Sequence, residues 1–157
     1  MEIIADPVLP PLPADEYEAL KASIRERGVL VPILVVADRQ VAEGEERLRA
    51  FIVDGHERYR ACRELKIPPA PLRVLDPTTP VRRRELSIRL NAERRHLSKP
   101  DRDRLLEEYI KAAPHKSTRE VADACKVSQS KAARAKARLL ADESIPSVPT
   151  LGRNGKV

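Results

Sequence analysis

The spacing of apolar residues changes near residue 80. Before that point, short apolar runs at 32–36, 51–53 and 71–75 alternate with stretches in which apolar residues recur every three or four positions. Such an alternation predicts strands separated by helices, because a buried strand needs only a few consecutive apolar residues. After that point, helical spacing continues to about residue 140. We therefore predict an α/β first half and an all-helical second half.

The first half is predicted to contain two helices among these strands. One begins near Ala14 and ends at Gly28, because apolar residues at 17, 20 and 24 share one helical face. The other runs from Arg58 to Leu65, before a pair of prolines. The polar stretch between the first two strands, through Asp38 and residues 44–46, is predicted to be a loop.

The second half carries three helix-start signals. Ser98 precedes Asp101 in S-x-x-D spacing, Ser117 precedes Glu120 in S-x-x-E spacing, and Ser128 precedes the last helical stretch. The last two helices, 117–125 and 128–140, are separated by a short turn, as in a helix-turn-helix motif. A small residue, Ala122, stands where two such helices cross closely. The alternative is a plain helical hairpin.

Charge is unevenly distributed along the 157 residues. The total is +6, but residues 1–80 carry a net charge of −3, residues 81–140 carry +9, and the rest is neutral. A basic helical segment favours a polyanion partner such as double-stranded DNA, although it could also be a solvated helical surface. Aromatic residues make up only 3%, so the cores must consist of Leu, Ile, Val and Ala.

Cysteine and histidine positions argue against a structural metal site. Cys62 and Cys125 lack the spacing of metal ligands, and the three histidines are scattered. The sequence also lacks an apolar run long enough for a membrane span, and its acidic start is unlike a signal peptide. We therefore expect a cytoplasmic protein without a membrane partner, and the DNA binding that its basic segment favours would make it nucleoid-associated.

A phosphate-binding turn is the main chemical signal. The run from Val53 to Ala61 joins an apolar strand to an arginine-rich helix through Gly55. Glycine lets backbone N–H groups approach an anion at a helix N-terminus, and Arg58 and Arg60 could add forked donors. The alternative is that both arginines pair with nearby carboxylates, at Asp54, Glu57 or Glu64, and only position the helix.

Three segments together resemble the ParB/sulfiredoxin-like superfamily, and more narrowly the ParB-like DNA-binding proteins. They are GVLVPILVV at 28–36, VDGHERYRA at 53–61 and NAERRHLSKPDR at 91–102. The resemblance covers about residues 7–140 and implies an α+β protein. We expect a small α/β ParB/sulfiredoxin-like N-terminal domain at 1–97 and an all-α helix-turn-helix domain at 98–140. The residues at 141–157 lack an apolar period and are expected to be disordered.

The resemblance implies that the N-terminal domain binds a nucleotide triphosphate, CTP, with Mg²⁺. Asn91 would also hold the metal. Leu90 stands where the family has a glutamate linked to hydrolysis, and a leucine cannot activate water, so we expect at most weak CTPase activity. The residues expected to bind the nucleotide are Gly28, Pro32, Ile33, Asp54, Gly55, His56, Glu57, Arg58, Arg60, Asn91, Arg94 and Arg95.

The resemblance further implies nucleotide-gated, sequence-specific DNA binding by a homodimer, in DNA partition or regulation. One alternative is a helix-turn-helix transcription regulator without nucleotide control. Another is a kinase-like enzyme of the superfamily, with His56 or Glu57 as the base. Sulfiredoxin chemistry is not expected, because His56 stands where that branch has its reactive cysteine. The residues expected to contact DNA are Lys116, Arg119, Ser128, Gln129, Ser130, Lys131, Arg134, Lys136 and Arg138.

Overall fold

The computed structural model describes residues 2–42, 45–93 and 97–150. It divides into two compact units, Met1–Thr79 and Pro80–Val157. The first unit contains, in chain order, β1 (Glu2–Ile4), α1 (Ala14–Arg27), β2 (Ile33–Ala42), β3 (Glu45–Asp54), α2 (His56–Leu65) and β4 (Leu72–Leu75). The second contains α3 (Pro80–Ala92), α4 (Lys99–Ala112), α5 (Thr118–Cys125) and α6 (Gln129–Ala141).

A four-stranded mixed sheet organises the first unit. Its strand order is β1-β3-β2-β4, with β2 and β3 antiparallel and both outer strands parallel to their neighbours. Alternate strand residues such as Ile33, Val35 and Ile52 pack with Tyr17 and Ile24 of α1. Cys62 of α2 is fully buried in the same core. The predicted α/β first half is therefore confirmed.

The predicted loop between the first two strands is wrong. Strands β2 and β3 continue through most of that polar stretch and pair from Leu34 with Asp54 out to Ala42 with Glu45. Asp38 lies opposite Arg49 in this register, so opposite charges face each other across the ladder. Backbone pairing with a neighbouring strand therefore overrides the polar composition on which the prediction relied.

The described part of the second unit is built from the helices α3 to α6 and the turns between them, so the predicted all-helical second half is confirmed. Its core consists mainly of aliphatic side chains from α3 to α6, including Ile88, Leu105, Ile110 and Leu139, together with the fully buried Cys125. The overall fold is thus α+β. Within the described residues, no helix has the length and apolar character that crossing a bilayer requires.

The boundaries of the units differ from the predicted ones. Helix α3 groups with the second unit, since it packs on α4 and α5, whereas the sequence placed the boundary at residue 97. Ile145 lies in the segment expected to be disordered, yet it is 5% exposed and its N–H donates to Leu139 O over 3.3 Å. The chain just after α6 therefore packs back on the helical unit, and residues 151–157 lie outside the described residues.

Candidate functional sites

The turn at Gly55 connects the end of β3 to the start of α2. Gly55 is buried and has φ of +94°, a backbone conformation that L side chains rarely adopt. It is the N-cap of α2 and, as a glycine, offers no side chain to cap this helix start. The first N–H groups of a helix have no acceptor within the helix. The turn therefore has the geometry expected for an anion site.

Arg58 clamps this turn to the start of β2. One guanidinium nitrogen, Nη2, donates to Pro32 O over 3.1 Å and to Asp54 Oδ2 over 3.0 Å. A Cβ added at Gly55 would lie 2.8 Å from the same Nη2. The arginine thus occupies the space beside the glycine, and the pairing with Asp54 matches the alternative considered from the sequence. A phosphate at this turn would have to compete with that carboxylate.

Arg60 is also engaged with neighbouring side chains. It donates to Glu64 over 3.1 Å and to Glu57 over 3.4 Å, and its guanidinium carbon lies 3.9 Å from the centre of the Tyr17 ring. Lys21 binds the same Glu64 over 2.6 Å and, as the main cause, holds the pKa of that carboxyl below its usual value. Burial and the carboxylate of Glu64 raise the pKa of Tyr17 to about 12, although Arg60 opposes this shift. Arg60 therefore joins α2 to α1.

A cleft of about 910 Å³ lies beside this cluster. One wall is the proline-rich segment before α1, and the other is the face of α2 that carries His56, Glu57 and Arg60. Asp54, Gly55 and Arg58 are not among its lining residues. The structure thus divides the predicted phosphate residues between the cleft and the Arg58 clamp. The volume lies within the range of small-molecule sites.

Several cleft residues were missed by the sequence prediction. Pro7, Pro11 and Leu12 line it together with Tyr17 and Tyr59. The sequence placed Tyr17 on the apolar face of the first helix, and the structure buries most of this side chain, which is 4% exposed. The proline-rich run next to a tyrosine was the available signal, because such a run supplies rigid apolar surface without secondary structure.

Three residues of the predicted nucleotide segment have structural roles. Gly28 ends α1 with φ of +72°, and its N–H donates to Ile24 O over 2.8 Å. Ile33 is fully buried, and its N–H donates to Pro71 O over 3.0 Å ahead of β4. Pro32 accepts from Arg58, as described above. Their assignment to nucleotide binding stays a prediction.

The remaining nucleotide residues belong to the second unit. Asn91 is 4% exposed on α3, and its Nδ2 donates to Ser87 O over 2.8 Å. Only its Oδ1 is chemically suited to a cation. Arg94 and Arg95 lie outside the described residues. Within the described part of the chain, no group of three or more His, Cys, Asp or Glu side chains could hold a metal ion.

Helices α5 and α6 form the predicted helix-turn-helix. Ser117 and Glu120 make both hydrogen bonds of a capping box at the start of α5. Burial acts to raise the pKa of Glu120, but hydrogen bonds from Ser117 and Lys116 outweigh it and hold the pKa below its usual value. Lys126 turns the chain with φ of +54°, and Ala122 is buried where small side chains permit close packing.

The start of α6 presents polar side chains to solvent. Ser128 caps the helix by accepting from the Lys131 N–H over 3.3 Å, and Gln129 and Ser130 are exposed. Gln129 Nε2 donates to Thr118 Oγ1 over 3.3 Å, which orients its amide near the start of α5. Arg134 is exposed one turn further along α6. This is the end of a recognition helix that meets base edges in helix-turn-helix docking.

The other predicted DNA contacts differ in their surroundings. Lys131 pairs with Asp103, and Arg138 pairs with Glu107. Lys136 Nζ donates to Lys116 O over 2.8 Å and to Thr150 Oγ1 over 3.4 Å, and its burial lowers its pKa. Lys116 Nζ binds Glu120 over 3.2 Å, whereas Arg119 is exposed. Four of the predicted cations are thus held by groups of the same unit, and their role in DNA binding stays a prediction.

Solved structures similar to this chain include two C-terminally truncated forms of the chromosome-partitioning protein ParB from Caulobacter crescentus. The form complexed to the centromeric parS site is 23% identical, with a TM-score of 0.55 over 92% of this chain and 70% of that one. The form complexed with CTP-gamma-S is 28% identical, with a TM-score of 0.46 over 88% of this chain and 74% of that one. The first match supports the fold.

Comparison with curated proteins and families adds sequence matches. The chain is 28% identical over 93 residues to the uncharacterized protein ORF326b of Acidianus two-tailed virus, a match over 59% of this chain and 25% of that protein. The chain therefore spans about a quarter of the length of this curated relative. The ParB N-terminal domain family matches residues 5–90, which is more than half of the 157 residues. The chain therefore belongs to the ParB N-terminal domain family.

Proposed function

We propose that this protein binds double-stranded DNA through α5 and α6, and that its N-terminal unit binds CTP and controls that binding. The observation that carries the proposal is the capped helix-turn-helix, with Gln129, Ser130 and Arg134 exposed at the start of its second helix. A glutamine can form two hydrogen bonds with adenine, and an arginine can do so with guanine. The net charge of +9 over residues 81–140 supports binding to phosphates through counterion release.

The N-terminal unit fits a nucleotide in part. Gly55 and the start of α2 offer backbone donors to a phosphate, and the neighbouring cleft offers apolar walls and the ring of Tyr59. A phosphate bound at Arg58 Nη2 would have to displace the bond from that nitrogen to Asp54. Glu57 lies in the first turn of α2, where its charge would repel a triphosphate unless a cation intervenes. Family membership and the resemblance described from the sequence are what favour CTP over other nucleotides.

A divalent cation would have to be held mainly by oxygen atoms of the nucleotide and one or two protein groups. Asn91 Oδ1 is the proposed protein ligand, as the resemblance implies. The cation would neutralise phosphate charge. With Leu90 in place of the family's glutamate, we propose binding without efficient hydrolysis.

A DNA-binding regulator without nucleotide control is the second candidate. It is favoured by the pairing of Arg58 and Arg60 with carboxylates, because both arginines then hold α2 in place with no ligand required. In this case the N-terminal unit would act as a scaffold. Either candidate is compatible with a role in DNA partition or in transcription control. In both roles we propose a cytoplasmic protein that binds DNA as a homodimer.

The first experiment selects DNA sites from a random duplex library and measures their affinity by fluorescence anisotropy. CTP is then titrated calorimetrically with Mg²⁺, with and without the selected duplex, and with ATP and GTP as controls. Selective CTP binding that changes DNA affinity supports the proposal. Sequence-selective DNA binding that CTP leaves unchanged supports the regulator without nucleotide control, and failure to enrich any sequence contradicts both.

An arginine pair supplies a matched test of the nucleotide site. Arg58→Ala and Arg25→Ala remove the same charge from the first unit, but Arg58 contacts the Gly55 turn, whereas Arg25 is exposed in the last turn of α1 and is not among the residues that line the cleft. We expect the first variant to lose most CTP binding and the second to retain it. Equal losses would mean that CTP responds to the overall charge of the unit and does not bind at the turn.

A further inference from the structure

Two carboxylates on α4 face the basic side of α6. Asp103 and Glu107 are one helical turn apart, and they pair with Lys131 and Arg138 respectively. The four residues line a groove of about 380 Å³ between the two helices, together with Arg134. Two of the cations expected to contact DNA are therefore already neutralised by side chains of the same unit.

Solvent reaches all four side chains of these pairs. The exposed fractions are 30% for Lys131 and 43% for Asp103, and 58% for Arg138 and 33% for Glu107. Ion pairs with this much access to water contribute little to stability, because solvent screens the attraction and the long side chains lose freedom. The pairs are therefore weak enough for a DNA phosphate to displace either carboxylate.

We propose that Asp103 and Glu107 compete with DNA phosphates for Lys131 and Arg138, and so suppress binding to non-cognate DNA. This inference rests on the proposed DNA-binding function. Non-specific affinity depends on how many phosphates the protein neutralises, whereas base contacts add only at the correct site. Holding Lys131 and Arg138 in ion pairs therefore lowers the non-specific affinity for every DNA sequence. At the cognate site, base contacts by Gln129 and Arg134 keep the duplex close enough for phosphates to exchange with the carboxylates.

The test is the double variant Asp103→Asn and Glu107→Gln, which keeps side-chain size and removes both charges. Its binding to a duplex of random sequence is measured between about 50 and 200 mM salt, the range over which phosphate contacts dominate affinity. Two additional phosphate contacts should steepen the slope of log K against log salt by about 1.8. Non-specific affinity should therefore rise most at low salt, and the ratio of cognate to random affinity should fall.

A charge-matched control separates this mechanism from an effect of net charge. Asp123→Asn and Asp142→Asn remove two exposed carboxylates from the same unit and leave the α4 pairs intact. An equal rise in non-specific affinity in this control would overturn the proposal. An unchanged slope of log K against log salt in the test variant would also overturn it. Glu107→Gln alone should show about half of the slope change, which keeps the test open if the double variant folds poorly.

Failure of the proposed function gives a different result. If neither the wild type nor any variant binds a duplex at the lowest salt concentration, DNA binding itself is refuted and the inference falls with it. If the wild type binds DNA and the test variant has the same slope and specificity ratio, only the inference is overturned. Thermal unfolding followed by circular dichroism confirms that each variant is folded.

Discussion

Replacing Gly55 by alanine tests the clamp between Arg58 and the phosphate turn. The φ of +94° at this position costs an L residue about 1–2 kcal/mol. The new Cβ would also lie 2.8 Å from Arg58 Nη2, so the guanidinium must shift and weaken its bonds to Asp54 and Pro32. Charge-assisted hydrogen bonds are worth about 1.5–3 kcal/mol, and we take about 1 kcal/mol here, because the flexible side chain keeps part of these bonds after it shifts. The expected destabilisation is about 2–3 kcal/mol.

A double-mutant cycle separates the two contributions. In an Arg58→Ala background, Gly55→Ala should cost only the backbone strain of about 1–2 kcal/mol, since no guanidinium remains to be displaced. The free energy of unfolding is measured by urea titration, with amide NMR signals from the first unit as the probe. Equal costs in the two backgrounds, within about 0.5 kcal/mol, would refute the contact between Arg58 and Gly55.

Three further predictions concern the second unit. Gln129→Ala should reduce discrimination at one base position by about 1–3 kcal/mol, and an equal loss on all duplexes in competition binding would contradict base readout. Lys126→Gly should raise the free energy of unfolding by about 0.5–1 kcal/mol, because glycine adopts the φ of +54° without the strain of an L side chain. A urea titration that shows a lower free energy of unfolding would contradict this prediction. Glu120→Gln should destabilise the protein at neutral pH. The pKa of Glu120 is below its ordinary 4.5, so its stabilisation is complete above that value and is lost as the pH falls through the lowered pKa. The difference in melting temperature between the variant and the wild type should therefore shrink as the pH is lowered. A difference that stays constant down to acid pH would rule out a contribution from the charged Glu120 side chain to the capping box.

Features encoded by neighbouring residues were predictable from the sequence. The starts of α4, α5 and α6 follow Ser98, Ser117 and Ser128, and each serine accepts a hydrogen bond from an N–H three residues later. Gly55 was also recognisable, because a glycine between a strand and an arginine-rich helix indicates a special backbone conformation. Residues close together in the chain determine the serine caps and the Gly55 turn, so the sequence alone was enough to predict them.

Features that depend on distant residues were not predictable in this way. The hairpin extension requires pairs such as Asp38 with Arg49, and β1 forms only because it lies beside β3. The cleft requires the proline-rich segment to lie against α2, and the pair of Asp103 with Lys131 joins residues on separate helices. A sequence shows that such groups exist but does not show which of them meet in the fold.

The burial of both cysteines has a practical consequence for labelling. Burial raises the pKa of Cys62, and it raises that of Cys125 to about 12, although Arg89 opposes the second shift. Thiol-reactive dyes attack the thiolate, which is scarce and inaccessible at both positions near neutral pH. A cysteine placed at Ala133, exposed on α6, would therefore accept a fluorophore selectively while both native cysteines are kept. The otherwise wild-type chain is thus suited to a single-dye reporter of how α6 approaches a duplex.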